Sequence, residues 1–217
     1  MNEGTGMRDA TGPDEGAMDA RDAIAIMGEA RKRAEHELTI NRPAIFASWG
    51  LVYLLGYGVI WLSVRGQRPY QAPQGWAIAL VIVLAAIACA TTVGVTNRAV
   101  SGVGGASARR RRSYVLAGAL GLGGVYLMEA ALRSAGASLG VIAVMGASGP
   151  ILVAGVVLVA STAVWQNWHV FGLGGWQIVV AGCSGFAGAV GVWAVDALAA
   201  GAGFLVVAAV AFARARR

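Results

Sequence analysis

The feature that most constrains this chain is a series of long apolar runs, which begins near residue 45 and continues almost to the end. A helix needs about 20 apolar residues to cross the hydrocarbon core of a bilayer, and roughly 17 is the lower limit. Five runs meet this requirement, and a sixth, shorter run follows the fifth after a very short connection. The predicted spans are residues 45–64, 76–95, 114–132, 139–164, 176–195 and 197–213. We therefore predict an all-α polytopic membrane bundle of six transmembrane helices, occupying residues 44–213.

Composition excludes a soluble globular domain. Apolar residues make up 57% of the chain and charged residues 13%, about half the usual charged share. Cys89 and Cys183 both fall inside apolar runs, where we interpret them as small core residues. Neither cysteine has a partner at ligand spacing, and there is no phosphate-binding or zinc-protease motif. The sequence thus predicts no metal, no cofactor and no enzymatic activity.

Basic residues predict the orientation of the bundle. With six spans and a cytoplasmic N-terminus, fourteen Lys/Arg lie in inner segments and three, Arg65, Arg68 and Arg133, lie outside. Five spans would change this distribution to eleven against six, which the positive-inside rule disfavours. We predict a multi-pass protein of the cell membrane with both termini in the cytoplasm. The run Arg109–Arg112 then serves as a topology anchor beside the lipid bilayer, and no nucleic acid is needed to explain it.

The N-terminal region divides into two segments. Residues 1–20 carry five acidic residues against one arginine and are predicted to form a disordered acidic tail. Residues 21–43 place Met27, Ala30, Ala34 and Leu38 at helical spacing, which predicts a short cytoplasmic amphipathic helix. It either rests against lipid headgroups or docks a membrane partner protein. Residues 214–217 form a basic cytoplasmic tail.

Three ionisable residues fall within or beside the apolar spans, where charge is costly and often functional. Glu129 and Arg133 stand four residues apart on the third span, a spacing that favours a helical ion pair. Asp196 falls at the predicted turn between spans five and six, at the same level. Together, Glu129, Arg133 and Asp196 are predicted to line an outward-facing vestibule for a cation or polar substrate. The alternative is that Arg133 reaches the headgroups, Glu129 only pairs with it, and Asp196 is a solvated turn residue.

Glycine spacing predicts close helix packing. Gly182, Gly185, Gly188 and Gly191 recur every third residue along the fifth span, and such smooth faces allow helices, or a second copy of the chain, to approach closely. The fourth span contains Gly146-Ala147-Ser148-Gly149, which matches the GxSG motif of rhomboid proteases. A serine nucleophile needs a base within hydrogen-bond reach. The available histidines, His36 and His169, are predicted to lie in cytoplasmic segments, so we interpret the match as chance.

The stretch from Ala23 to Ser63, with Glu29-Ala30-Arg31-Lys32-Arg33 followed by Trp49-Gly50-Leu51-Val52-Tyr53-Leu54-Leu55-Gly56, resembles an uncharacterised bacterial family of small six-span membrane proteins labelled as transporters. The resemblance implies six spans and a transport role, and it transfers no site residues. Two hypotheses for function follow. One is a small transporter or permease component with a polar site near Glu129. The other is a non-enzymatic membrane partner or scaffold that acts through its cytoplasmic helix and its glycine faces.

Overall fold

The structure is a computed structural model, and it divides the chain into two compact units, Met1–His36 and Glu37–Arg217. The residues that it describes are 24–26, 28–29, 43–100, 106–165 and 167–216. In the first unit, residues 24–26 and 28–29 are helical, within the predicted amphipathic helix. The predicted acidic tail and the positions Met27, Ala30, Ala34 and Leu38 lie outside the described residues.

The described part of the second unit is helical and contains no strand. Its helices are α1 (Pro43–Val64), α2 (Gly75–Val100), α3 (Ala106–Ser134), α4 (Leu139–Trp165), α5 (Trp168–Ser184) and α6, which runs through Gly188–Val195, Asp196–Ala200 and Gly201–Ala215. Five stretches are long and apolar enough to cross a membrane: Pro43–Val64, Gly75–Asn97, Val115–Ser134, Leu139–Thr162 and Trp168–Arg214. The prediction of an all-helical, multi-pass membrane protein is therefore confirmed.

The fifth apolar stretch folds back on itself. Its 47 residues would extend about 70 Å as one straight helix, far more than a bilayer core requires. A 3₁₀ turn, Gly185–Ala187, and Gly188 with φ of 75° interrupt it. Beyond this turn, the Trp176 indole N–H donates to the Ala199 carbonyl at 2.8 Å, so α5 and α6 are antiparallel neighbours. The predicted boundary between residues 195 and 197 is wrong, because the chain turns at the one glycine of this series that adopts a left-handed conformation.

Four helices form the core of the bundle, and two lie at its edge. In the apolar stretches of α2 and α3 only 6% of residues are buried, against 33–39% in α1, α4 and the α5–α6 hairpin. Tyr53 of α1 stacks on Phe204 of α6 with ring centroids 5.4 Å apart. Along α2, Val81 packs over Gly56 of α1, while on α3 Val125 packs over Gly149 of α4. The two edge helices are thus attached to different members of the core.

Glycines do produce close helix contacts, but not along the predicted stripe. A Cβ on Gly155 of α4 would stand 2.9 Å from the Gly174 carbonyl oxygen of α5, and a Cβ on Gly174 would stand 2.8 Å from the Gly155 carbonyl oxygen. By contrast, Gly182 and Gly188 have no neighbouring atom within 4 Å. The predicted packing role is therefore wrong for these two glycines as far as contacts within the described chain are concerned, and contact with a second copy or a partner stays a prediction. Of the same series, a Cβ on Gly185 would meet Val144 at 3.0 Å, and one on Gly191 would meet Ala187 at 2.9 Å.

Two helices contain a wider, π-helical turn, and these turns pack against each other. The first is Val52–Tyr57 in the middle of α1, and the second is Asp196–Ala200 in α6. A π turn inserts one residue into the helix and often marks a functional site. The pairing of the two turns therefore directs attention to the side chains around Asp196.

Candidate functional site

A cleft of about 400 Å³ opens between the edge helices α2 and α3. Ile78, Val81 and Ile82 line it from α2, and Tyr126, Glu129 and Arg133 line it from α3. Its base is formed by α1, α4 and α6, and residues Tyr70–Pro73 of the α1–α2 connection lie at its rim. The cleft is therefore the place where the most exposed helices meet the core.

Glu129 faces this cleft and pairs with Arg133, as their spacing predicts. The Arg133 Nη2 atom lies 2.6 Å from Glu129 Oε1. The Glu129 side chain is only 16% exposed, whereas that of Arg133 is 54% exposed. On the opposite wall, Gly146 of α4 leaves room for the carboxylate, since a Cβ there would stand 3.4 Å from Glu129 Oε2. The acid is held inside the cleft and its basic partner reaches outward.

Aromatic side chains form the floor of the cleft. The rings of Tyr57 and Trp193 have centroids 5.5 Å apart, and the Tyr57 hydroxyl donates to the Ala147 carbonyl at 3.3 Å. Tyr70 lies above them in the α1–α2 connection. Its burial raises the pKa of its phenol, while the neighbouring Trp193 indole and the Arg133 charge act in the opposite direction. The indole N–H of Trp193 is buried and lies near Tyr70, but it meets the geometry of a hydrogen bond with none of the described residues.

Asp196 belongs to α6 and its side chain is fully buried in the bundle. The interpretation of Asp196 as a solvated turn residue is therefore wrong. It does not line the cleft. It lies one helical turn beyond Trp193, which does line it. The expectation that Glu129, Arg133 and Asp196 share one vestibule is thus corrected: the first two do, and Asp196 lies behind the floor. Neither carboxyl oxygen of Asp196 makes a hydrogen bond within the described part of the chain.

Two serines flank the Asp196 carboxyl. Ser148 of α4 and Ser184 of α5 are buried, and their hydroxyl oxygens are 2.8 Å apart. Both hydroxyls lie close enough to interact with Asp196, although neither meets the geometry of a hydrogen bond to it. The GxSG-like serine therefore belongs to a buried polar cluster of Ser148, Ser184 and Asp196. The described histidine, His169, contacts Arg214 at the start of α5.

A larger cavity, about 690 Å³, lies between the start of α5 and the end of α6. Its walls are mainly apolar, with Leu173, Trp176 and Val207 among them, and Arg214 and His169 stand at its mouth. No buried polar side chain of the described residues points into it without a partner. The smaller cleft is therefore the better candidate for recognising a specific solute, because a few fixed polar groups provide specificity.

Comparisons of the chain with protein-family models, with curated proteins and with solved structures find no match. The described residues contain no group of three or more His, Cys, Asp or Glu that could hold a metal ion. The assignment of a function therefore rests on the geometry of the cleft and of the cluster behind it.

Sequence reasoning missed several members of the site. Ser184 lies within a Gly/Ala-rich run that gives no signal of a site, and its hydrogen-bond partner Ser148 is 36 residues away in the sequence. Tyr57 and Trp193 are aromatic residues within apolar runs, and no sequence pattern distinguishes them from other aromatic residues in such runs. Gln177, also missed, is fully buried and donates from Nε2 to the Ala200 carbonyl at 3.1 Å. A polar residue in the middle of an apolar run was the available signal for Gln177.

Proposed function

We propose that this chain is a small transporter of organic cations or similar polar solutes, and that the cleft at Glu129 binds them. The observation that supports this most is a cleft that combines a largely shielded carboxylate with an aromatic floor. A carboxylate supplies the opposite charge, and the faces of Tyr57, Tyr126 and Trp193 offer cation–π contacts. An intramembrane acid that faces a cavity is more often part of a substrate path than an acid that is sealed in a core.

Arg133 fits this role as a movable counter-ion. Its side chain is more than half exposed, so its ion pair with Glu129 contributes only about 0–1 kcal/mol. An arriving cation therefore displaces the guanidinium at small cost, and the arginine turns toward water or headgroups. Arg133 neutralises Glu129 in this arrangement, and a cationic solute would take the place of the guanidinium.

The same proposal includes six membrane spans with both termini in the cytoplasm. The turn at Gly188 supports it, because α5 and α6 are each long enough to cross the hydrocarbon core once. Moving the turn from residue 196 to residue 188 leaves the charge distribution unchanged, since no Lys or Arg lies between residues 134 and 213. The positive-inside rule then places the Glu129 cleft toward the outside of the cell membrane.

The proposal is tested with the full chain in liposomes and ethidium as the organic-cation probe. The wild type is expected to bind ethidium and to accumulate it when a pH gradient is applied. Glu129→Gln should lose most of this uptake while its free energy of unfolding falls by no more than about 1 kcal/mol, because the lost ion pair is partly exposed. Uptake and unfolding are measured on the same preparations.

Glu29→Gln is the matched control, since Glu29 belongs to the first unit and is not among the residues that line the cleft. It should leave uptake and stability unchanged. The double variant Glu129→Arg/Arg133→Glu separates the two roles: it restores stability if the pair is structural, but it does not restore uptake, because the carboxylate has moved one turn along α3. Uptake by Glu129→Gln equal to that of the wild type would overturn the transport proposal.

A non-enzymatic membrane partner or scaffold is the alternative, and one surface favours it. Phe186 at the tip of the α5–α6 hairpin is 93% exposed, and the adjacent Gly182 and Gly188 have open space beside them. Such a bare face suits a neighbouring helix. Gly182→Trp should then break a complex that is detected by cross-linking in the native membrane. An unchanged cross-linking pattern would remove this alternative.

A further inference from the structure

We propose that Asp196 is a proton-binding site behind the cleft, reached through the floor formed by Tyr57 and Trp193. The site comprises Asp196 of α6 together with the hydroxyls of Ser148 and Ser184. Coupling of this proton to solute movement rests on the transport function proposed above. Binding of the proton by Asp196 is independent of that function.

The burial of Asp196 requires a neutral carboxyl. Its exposed fraction is 0%, and both carboxyl oxygens lack a hydrogen-bond partner among the described residues. An unpaired carboxylate in this position would lose its hydration with nothing to replace it, which is strongly unfavourable. A bound proton removes the charge and converts one oxygen into a donor.

Among the described residues, the groups that interact with Asp196 supply no compensating positive charge. The tyrosines Tyr53 and Tyr57 approach from α1, Ser148 from α4 and Ser184 from α5. All four are hydroxyl groups, and none is a cation at neutral pH. The hydrogen bond between Ser148 and Ser184 uses one hydroxyl proton. The second hydroxyl proton remains free for the carboxyl, and the protonated acid can donate in return.

The floor of the cleft is the thin layer between this site and the outside. Trp193 stands three residues before Asp196, so both project from the same face of α6 on successive turns. Tyr57 contacts Trp193 and is anchored to the Ala147 carbonyl, next to Ser148. Both aromatic residues line the cleft itself. A proton therefore passes from the cleft to Asp196 by crossing one aromatic layer.

The two π turns give this layer a means of opening. Tyr57 ends the π turn of α1, and Asp196 begins the π turn of α6. Helices bend most readily where their regular hydrogen bonding is interrupted. A change of bend at these turns would separate Tyr57 from Trp193 and admit water to the carboxyl. Release of the proton is then tied to the open cleft, because only hydration offsets the cost of the charge.

Infrared difference spectroscopy of the full chain in liposomes tests the site without any solute. The carbonyl stretch of a protonated carboxylic acid should be present at neutral pH, lost in Asp196→Asn and retained in Glu129→Gln. Asp196→Glu should restore a band at a shifted frequency. Transfer to D₂O should shift the wild-type band, and Trp193→Ala should make that shift faster. Asn is nearly isosteric with Asp, so Asp196→Asn should remove the carboxylic acid without unfolding the chain.

Three results would overturn the proposal. The first is a band that persists in Asp196→Asn, which would assign it to another group. The second is a band that never exchanges in D₂O, which would make Asp196 a sealed structural acid. The third is a band removed by Na⁺ at constant pH, which would make the site one for a metal cation. The two proposals can fail separately. If the chain does not take up ethidium but the carboxylic-acid band is present and shifts in D₂O, the transport proposal is overturned and the proton site is not.

Discussion

A membrane-impermeant maleimide added to intact cells is expected to label Phe186→Cys, in a chain whose two native cysteines are replaced by serine. The six-span arrangement proposed above would place the turn between α5 and α6 outside the cell, and the Phe186 side chain at this turn is 93% exposed. Labelling is expected to be all-or-none, because the reagent does not cross the membrane and cannot reach a thiol on the cytoplasmic side. The measurement is the mass shift of the purified chain after labelling.

Two further positions calibrate the labelling. Gln71→Cys, in the connection between α1 and α2, should react in intact cells. Ser107→Cys, near the start of α3, should react only after the membrane is permeabilised. Labelling at residue 107 but not at residue 71 would reverse the orientation. Labelling at residue 71 but not at residue 186 would mean that the α5–α6 hairpin enters the membrane without crossing it, which leaves five spanning stretches.

Gly155→Ala is expected to destabilise the bundle by about 1–3 kcal/mol or more, in the range of overpacked cores. The added Cβ would stand 2.9 Å from the Gly174 carbonyl oxygen and 3.0 Å from the Ile178 nitrogen. Both are backbone atoms, so no side-chain rotation relieves the contact, and α4 and α5 must separate. The free energy of unfolding in detergent micelles is the measurement.

Gly182→Ala is the matched control on α5. No atom lies within 4 Å of the position that its Cβ would take, so the substitution removes a helical glycine without a clash. It should be neutral or slightly stabilising, because alanine is the better helix former by up to about 1 kcal/mol. Equal tolerance at residues 155 and 182 would show that α4 and α5 are not in backbone contact.

The sequence predicted the features that depend on local pattern. Apolar length was enough to place the first four helices, and the four-residue spacing of Glu129 and Arg133 was enough to predict their ion pair. The fold-back at Gly188 could not be read in the same way. Four glycines recur at equal spacing, and only the path of the whole chain decides which of them adopts a positive φ.

The buried cluster escaped prediction for a different reason. A charged residue near the end of an apolar run usually marks the end of a span, and this expectation placed Asp196 in a turn. Asp196 lies inside the bundle near Ser148 and Ser184, which are distant from it in sequence. The position of Trp193 does not follow from its residue type either, because tryptophan favours membrane interfaces on average, whereas here it is buried against Tyr57.

The attachment of α2 and α3 to different core helices has a consequence for how solutes arrive. In the membrane orientation proposed above, the cleft between them would open sideways toward the acyl chains as well as toward the water. If the transport proposal holds, a solute dissolved in the bilayer would then have a short route to Glu129. Its effective concentration there is then set by partitioning. Along a series of alkylamines with the same headgroup, apparent affinity should rise about fourfold per added methylene, which corresponds to ~0.8 kcal/mol of transfer free energy. The lipid itself would act as the first stage of selection.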